Sequence, residues 1–241
     1  MTTMFWTQTD GLHEASVWQR VVSWPYAFAM WVRAALYRAG SFKTQRLPRR
    51  VISVGNLTVG GPGKTPLVIW LVKRLQARGR RVAGLTRGSR PRSRGRYVLV
   101  SDGHALKANA AEAGDEPFLI ARRCPRAIVA VGADRHEVGR WVLDQFPVDD
   151  FILDDGFQHL QLARDVNLLL IDSTDVRGLS ALLPAGRLRE PLTAAARATA
   201  VVLTRADGPE AAVSAQSRVE AALRRPVEPV CVDFVPAGLV H

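Results

Sequence analysis

A glycine-rich run ending in a lysine, Thr58-Val59-Gly60-Gly61-Pro62-Gly63-Lys64-Thr65, is the stretch of this 241-residue chain best equipped for chemistry. Phosphate oxygens need several backbone N–H donors converging on one point. Glycines let the backbone close around them, and a helix N-terminus behind the loop adds its dipole. In this reading residues 58–65 cradle a nucleotide's phosphates, Lys64 reaches the β- and γ-phosphates, and the Thr65 hydroxyl ligates Mg²⁺. The strict pattern has Gly where Thr58 stands, but a β-branched run precedes the loop and an apolar helical run follows it.

Phe151-Ile152-Leu153-Asp154-Asp155-Gly156 is an apolar strand ending in two carboxylates, the shape of an element that sets an Asp beside a nucleotide-bound Mg²⁺. Acidic pairs after strands also cap helices. Gly114-Asp115-Glu116-Pro117 offers two more carboxylates, one of which could take a proton from an attacking hydroxyl. It reads equally well as the first turn of a helix. Arg187, Arg189 and Glu190, within Leu183-Pro184-Ala185-Gly186-Arg187-Leu188-Arg189-Glu190-Pro191, supply charge-stabilising cations and another acid. Arg87, Arg90, Arg92, Arg94 and Arg96 form a basic run that suits a phosphorylated head group, anionic lipid or plain solvent.

The elements that must position these groups follow from periodicity. Val51–Val54 reads as a strand, Pro66–Val72 opens a helix ending near Gly79, and Val82–Thr86 is a second strand. Further apolar runs lie at 97–100, 127–131, 151–153, 168–171 and 200–203, with helices between several of them. Strand–loop–helix–strand order implies a parallel sheet. The expected fold is an α/β, doubly wound parallel sheet of the P-loop NTPase kind over 45–241, behind an N-terminal helical segment over 1–44. Residues 17–40 combine Trp18, Trp24, Tyr26, Trp31 and Tyr37 with Arg20, Arg33 and Arg38, and Pro25 interrupts them. A spanning helix needs about 20 mostly apolar residues. This run is marginal as a span and better suits a helix lying in a membrane interface, or one packed on the protein's own core.

Lys and Arg number 33 against 22 acids, a formal charge of +11 that favours anionic partners. Nucleic acid is not expected among them, because there is no zinc-ligand spacing and no RNA-recognition aromatic pattern. Cys124 and Cys231 offer neither a disulfide framework nor a metal quartet, so a reducing compartment is expected. Asp10, His13 and Glu14 ahead of the apolar run argue against a secretory signal. No obligate protein partner is evident.

Taken in order, these segments resemble the tetraacyldisaccharide 4′-kinase (lipid A 4′-kinase) family. The resemblance rests on Ser53 through Pro66, Gly114-Asp115-Glu116-Pro117, Ala133-Asp134-Arg135, Leu153-Asp154-Asp155-Gly156-Phe157-Gln158-His159 and Leu183 through Pro191. It implies ATP and Mg²⁺ as cofactors and a lipid-linked disaccharide as acceptor. It implies a place at the cytoplasmic face of the bacterial inner membrane, with residues 17–40 on the inner leaflet. Asp115 would be the general base for the sugar 4′-hydroxyl, with Glu116 beside it. Lys64 and Thr65 would keep the roles derived above, with Asp155 and Glu190 near the metal. Arg135 and Arg189 would stabilise phosphate charge, and Asp154 and His159 would support them. Two departures stand out. The family's Arg-Gly-Tyr reads Arg87-Gly88-Ser89 here. Family members also run on beyond the equivalent of His241, into a small subdomain with a His that pairs with the catalytic Asp. The resemblance therefore implies a C-terminally truncated kinase, with a catalytically impaired membrane-bound nucleotide binder as the alternative. From another class, Thr204-Arg205-Ala206-Asp207 resembles the guanine-reading Thr-Lys-x-Asp of regulatory GTPases, with Arg for Lys.

Overall fold

The first described element of the structure, a computed structural model covering residues 17–88, 97–206 and 208–234, is helix α1 (Val17–Arg38). Strand β1 (Arg50–Asn56) and helix α2 (Lys64–Gln76) bracket the glycine loop, and strands β2 (Val82–Thr86) and β3 (Val98–Asp102) follow. Helices α3 (Ala110–Ala113) and α4 (Asp115–Arg123) precede β4 (Ile128–Val131), which α5 (Arg135–Gln145) connects to β5 (Asp150–Asp154). Then come β6 (Val166–Asp172), β7 (Ala200–Thr204), α6 (Pro209–Leu223) and β8 (Val230–Val232).

The strands form one eight-stranded sheet in the order β3-β4-β2-β5-β1-β6-β7-β8. Every pairing is parallel except β3 with β4, so the run expected at 97–100 is an antiparallel edge strand. Beyond that edge the doubly wound expectation holds. β2 and β5 are buried along their whole length, the signature of strands covered on both faces. Alternate residues part to opposite sides: Leu168 and Leu170 face the α2 layer, while Leu169 and Ile171 face α6. On the α2 face, Val54, Val68, Val72 and Ile152 are sealed from solvent; on the other side Val138 and Val142 of α5 pack with Phe151 and Leu153 of β5. Each such side chain contributes roughly 1.5–3 kcal/mol by leaving water.

Strand β1 sits between β5 and β6, and the direction of winding reverses there. β2 to β5 lie on one side of it and β6 to β8 on the other. In open α/β sheets the crevice at such a reversal, outside the carboxyl ends of the strands, is where ligands bind. The glycine loop leaves β1 at that point.

Helix α1 meets the body of the protein through polar groups. The Ser23 hydroxyl donates to the Leu182 carbonyl and accepts from the Ala185 N–H, Tyr26 donates to the Arg189 carbonyl at 2.7 Å, and Arg33 donates to the Gln158 carbonyl at 2.8 Å. Trp18, Trp24, Phe28 and Trp31 are each more than half exposed. One side of the helix thus docks on the protein and leaves its aromatic side to the surroundings. No helix among the described residues is long and apolar enough to cross a membrane. Ser89, Arg90, Arg92, Arg94, Arg96, Asp207, His241 and the polar start of the chain lie outside the described residues.

Candidate functional site

The loop between β1 and α2 is built to present backbone donors. Gly63 caps α2 in the left-handed region (φ 87), and no side chain caps the helix, which leaves its first N–H groups open to an anion. The helix begins at Lys64, two residues earlier than Pro66 marks, and ends at Gln76. Glycine is also required ahead of the loop: a Cβ on Gly55 would stand 2.7 Å from both Cβ and N of Phe157.

The strand that carries the loop meets three other segments. Lys64 Nζ donates to Asn56 Oδ1 at 2.9 Å and lies 3.4 Å from an Asp155 carboxylate oxygen. Arg189 donates to Asp155 Oδ2 (3.0 Å), Asn56 Oδ1 (2.8 Å) and the Thr58 carbonyl (3.1 Å). Backbone pairing keeps Arg189 there, since its N–H donates to the Leu57 carbonyl and Val59 N–H donates to the Arg187 carbonyl, both at 2.7 Å. Arg187 completes the seam with bonds to the Val59 carbonyl and an ion pair to Asp175 at 3.0 Å.

Asp155 holds a left-handed backbone (φ 51), an uncommon conformation for a residue with a side chain. The turn it belongs to is braced from below. Gly156 N–H donates to the Val54 carbonyl, Arg164 donates to the Gly156 and Phe157 carbonyls, and Gln158 donates to the Asn56 carbonyl. Burial works against a charge on Asp155, but Lys64 and Arg189 outweigh it and hold its carboxyl below the usual range. Asp154 is the opposite case. It is 3% exposed, and neither oxygen meets a well-formed hydrogen-bond partner. Burial first, then Glu116 and Asp155, push its carboxyl up to about 7.

The remaining expected residues gather less completely. Arg135 is buried at the start of α5, where it donates to the Ala133 carbonyl; burial and Arg87 lower it to about 10, with Asp155, Asp134 and Asp154 opposing. Asp134 caps that helix by accepting from the His136 and Glu137 N–H groups. His159 is lowered to about 4 by burial and then by Arg135, so it is neutral at ordinary pH. Glu190 is buried against Arg197 at 2.8 Å with its other oxygen unpartnered. Asp115 and Glu116 sit exposed in the first turn of α4, the helix-start arrangement their Gly-Asp-Glu-Pro setting also allowed. Glu116 is close enough to act on Asp154.

Two further residues touch the loop, one with no role assigned from the sequence and one, Arg205, noted only for its likeness to a guanine-reading run. Asn56 is sealed from solvent and is the shared acceptor for Lys64 and Arg189. Its position as the polar last residue of an apolar strand, directly before the loop, was the available signal. Arg205 follows β7 with a positive φ of 55 and donates to the Gly61 carbonyl. An open cleft of about 1240 Å³ runs beside the site, walled by Trp24, Phe28 and Trp31 of α1 and by Arg177, Arg187 and Arg218. Among the described residues no cluster of three or more His, Cys, Asp or Glu side chains is arranged around one point as a ready-made metal cage.

Comparison with known proteins bears on this geometry. A family described as tetraacyldisaccharide-1-P 4′-kinase matches residues 15–234. A tetraacyldisaccharide 4′-kinase of Geobacter metallireducens is 50% identical over 191 residues, covering 79% of this chain and 56% of that protein. Its counterpart in Geobacter sulfurreducens is 49% identical over 186 residues, covering 77% and 53%. The crystal structure of LpxK from Aquifex aeolicus in complex with ATP superposes with a TM-score of 0.73 at 44% identity, covering 78% of this chain and 58% of that one. The chain thus spans about half the length of the curated relatives it matches.

Proposed function

The chain belongs to the tetraacyldisaccharide-1-phosphate 4′-kinase family, and from that premise we propose that it moves the γ-phosphate of ATP onto the 4′-hydroxyl of a tetraacyldisaccharide 1-phosphate. The observation that carries the reading is the cluster at the end of β1. There Lys64 and Arg189, two cations, are held beside an uncapped helix N-terminus by Asn56 and Asp155.

An arriving triphosphate competes for Lys64. As Lys64 turns to the β- and γ-phosphates, Asp155 loses one of its two cations and keeps the other, Arg189. Arg189 and Arg135 then face the charge that develops on the transferring group, where fixed donors act most strongly. Asp115, exposed at the head of α4, takes the proton of the sugar hydroxyl as the hydroxyl oxygen attacks the γ-phosphorus, the bond to the β-phosphate oxygen breaks and ADP leaves. His159, neutral, and Asp154 support this corner from behind. The donor set suits a divalent cation, because Glu190 keeps an unpartnered carboxylate oxygen and Asp155 is an acid held below the usual carboxylate range. Thr65, Asp155 and Glu190 would hold Mg²⁺, which would supply positive charge to offset that of the nucleotide's phosphates.

The acceptor's apolar part suits the cleft beside α1, and the aromatic side of α1 suits the head-group region of a bilayer. This reading makes residues 1–44 an interfacial appendage on a kinase core of 45–241. It makes the protein peripheral at the cytoplasmic face of the inner membrane.

Transfer of labelled γ-phosphate from ATP to tetraacyldisaccharide 1-phosphate, compared in wild type and Lys64→Ala, tests the proposal. The expected result is transfer by wild type and none by the folded variant. ATP binding without transfer would instead make the chain a nucleotide binder.

A further inference from the structure

Helix α1 makes its polar contacts at the segments that build the site, which an anchoring role by itself does not require. Ser23, Tyr26 and Arg33 recur at spacings of three and seven residues, so they share one side of the helix. The buried Ser23 hydroxyl bonds the Leu182 carbonyl and the Ala185 N–H at the start of the arginine-bearing loop. Tyr26 clasps the other end of that loop, donating to the Arg189 carbonyl at 2.7 Å. Arg33 reaches a second segment, the turn after β5, through the Gln158 carbonyl at 2.8 Å. Gln158 in turn donates its side-chain amide to the carbonyl of Asn56, the residue whose Oδ1 holds Lys64 and Arg189. The exposed stripe of Trp24, Phe28 and Trp31 lies on another side of α1. Those three wall the cleft, and Tyr26 and Arg33 do not.

Arg189 is where these contacts have a chemical consequence. Its backbone is held on both sides, since the N–H donates to the Leu57 carbonyl and the carbonyl accepts from Tyr26, each at 2.7 Å. The Cα between those two bonds carries the guanidinium that spans Asp155, Asn56 and the Thr58 carbonyl. With the Tyr26 bond gone the residue can pivot on the Leu57 contact, and a small rotation at Cα is magnified at the end of so long a side chain. Displacing a charge-stabilising group by about 1 Å can cost as much as about 10²-fold in rate. We propose that Tyr26 is a positioning residue for phosphoryl transfer: from α1 it fixes the Arg189 backbone, and thereby the place at which the guanidinium meets the transferring phosphate. Ser23 and Arg33 hold the helix where this contact can form. The inference rests on the phosphoryl-transfer reading of the site and adds to it a residue that acts through Arg189.

A double-mutant cycle on kcat, with Tyr26→Phe and Arg189→Ala, tests the role. Tyr26→Phe removes one oxygen atom and keeps the ring. Alone, it is expected to lower kcat about 3- to 10-fold, the worth of one neutral hydrogen bond. KM for ATP, and binding to mixed phosphatidylethanolamine and phosphatidylglycerol vesicles, should stay as in wild type. In the Arg189→Ala background there is no guanidinium to place, and the same substitution should change kcat by less than about 2-fold. An equal loss in both backgrounds would overturn the proposal, because a bond that only stabilises the fold costs the same with or without Arg189. So would an unchanged kcat in Tyr26→Phe, or a loss confined to KM. A kcat loss that comes with lost vesicle binding would overturn it too, by making Tyr26 part of an anchor. If wild type transfers no phosphate to the acceptor, the kinase reading falls first and the positioning role with it; transfer by wild type with an additive cycle removes the positioning role alone.

Discussion

Arg189 is the test of whether the site depends on a bridging geometry or only on positive charge. Its guanidinium joins three segments: the end of β1 through Asn56, the loop through the Thr58 carbonyl, and the turn after β5 through Asp155. A hydrogen bond from a charged donor is worth about 1.5–3 kcal/mol. The contact with Asp155 deserves the least weight, since that carboxylate is 37% exposed and screened. Asn56 Oδ1 keeps Lys64 as a second donor, so its loss is partial. Arg189→Ala should therefore cost about 2 kcal/mol, and at about 2–4 °C per kcal/mol for a chain of this size the melting temperature should fall by about 4–8 °C. Rate should fall further. Removing a fixed donor from developing charge typically costs about 10²–10³ in kcat. Arg189→Lys decides the point, because lysine retains the charge but is a point donor that cannot span three acceptors in a fork. It should recover little of kcat and about half of the stability. The assays are thermal melts and steady-state kinetics with ATP varied at saturating acceptor. Wild-type kcat and melting temperature in Arg189→Lys would refute the bridging argument and leave only the charge.

Asp115→Ala should lower kcat by about 10²–10⁴, the usual contribution of a positioned base, with ATP affinity little changed; an unaltered kcat would reduce Asp115 to a helix-start residue. Gly55→Ala should cost about 1–3 kcal/mol through overpacking against Phe157, and activity should fall with stability because the Asp155 turn is pushed off Lys64. Denaturant melts that match wild type would disprove that contact. The folded-state carboxyl of Asp154 lies at about 7, above its unfolded value, so the stability this group contributes is full below about pH 4 and is lost as pH rises through 7. Melting curves of Asp154→Asn and wild type, recorded from pH 5 to 8.5 without divalent cation, should diverge as pH rises, with the variant the more stable at the alkaline end. Parallel curves would count against the burial argument.

Much of this protein was legible locally. A β-branched run, glycines and Gly63-Lys64-Thr65 carry their meaning within a few residues, because backbone closure and helix initiation are short-range events. The apolar runs at 82–86, 151–153, 168–171 and 200–203 gave strands for the same reason: a strand buried on both faces must be apolar throughout. The edge strand β3 was harder, since one neighbour and a direction cannot be read from its own residues. The Gly114-Asp115-Glu116-Pro117 run stayed ambiguous for a physical reason. Acids near a helix start serve the dipole as readily as they serve a substrate.

What residue types by themselves determined is the inventory: a phosphate loop, a strand ending in acids, an arginine-bearing loop and an aromatic helix. Only the tertiary structure decided which of these meet. Lys64 and Asp155, Arg189 and Asn56, Tyr26 and the Arg189 carbonyl, Arg205 and Gly61 are partners far apart in the chain. Nothing in the neighbourhood of Asn56 announces that it will hold two cations. That follows from β1 lying between β5 and β6, which brings the turn after one strand and the loop after the other to the same end of the sheet. Hydrogen-bond partners are chosen by strand order and register, and those are global properties, set by how alternate faces of all the strands find cover at once.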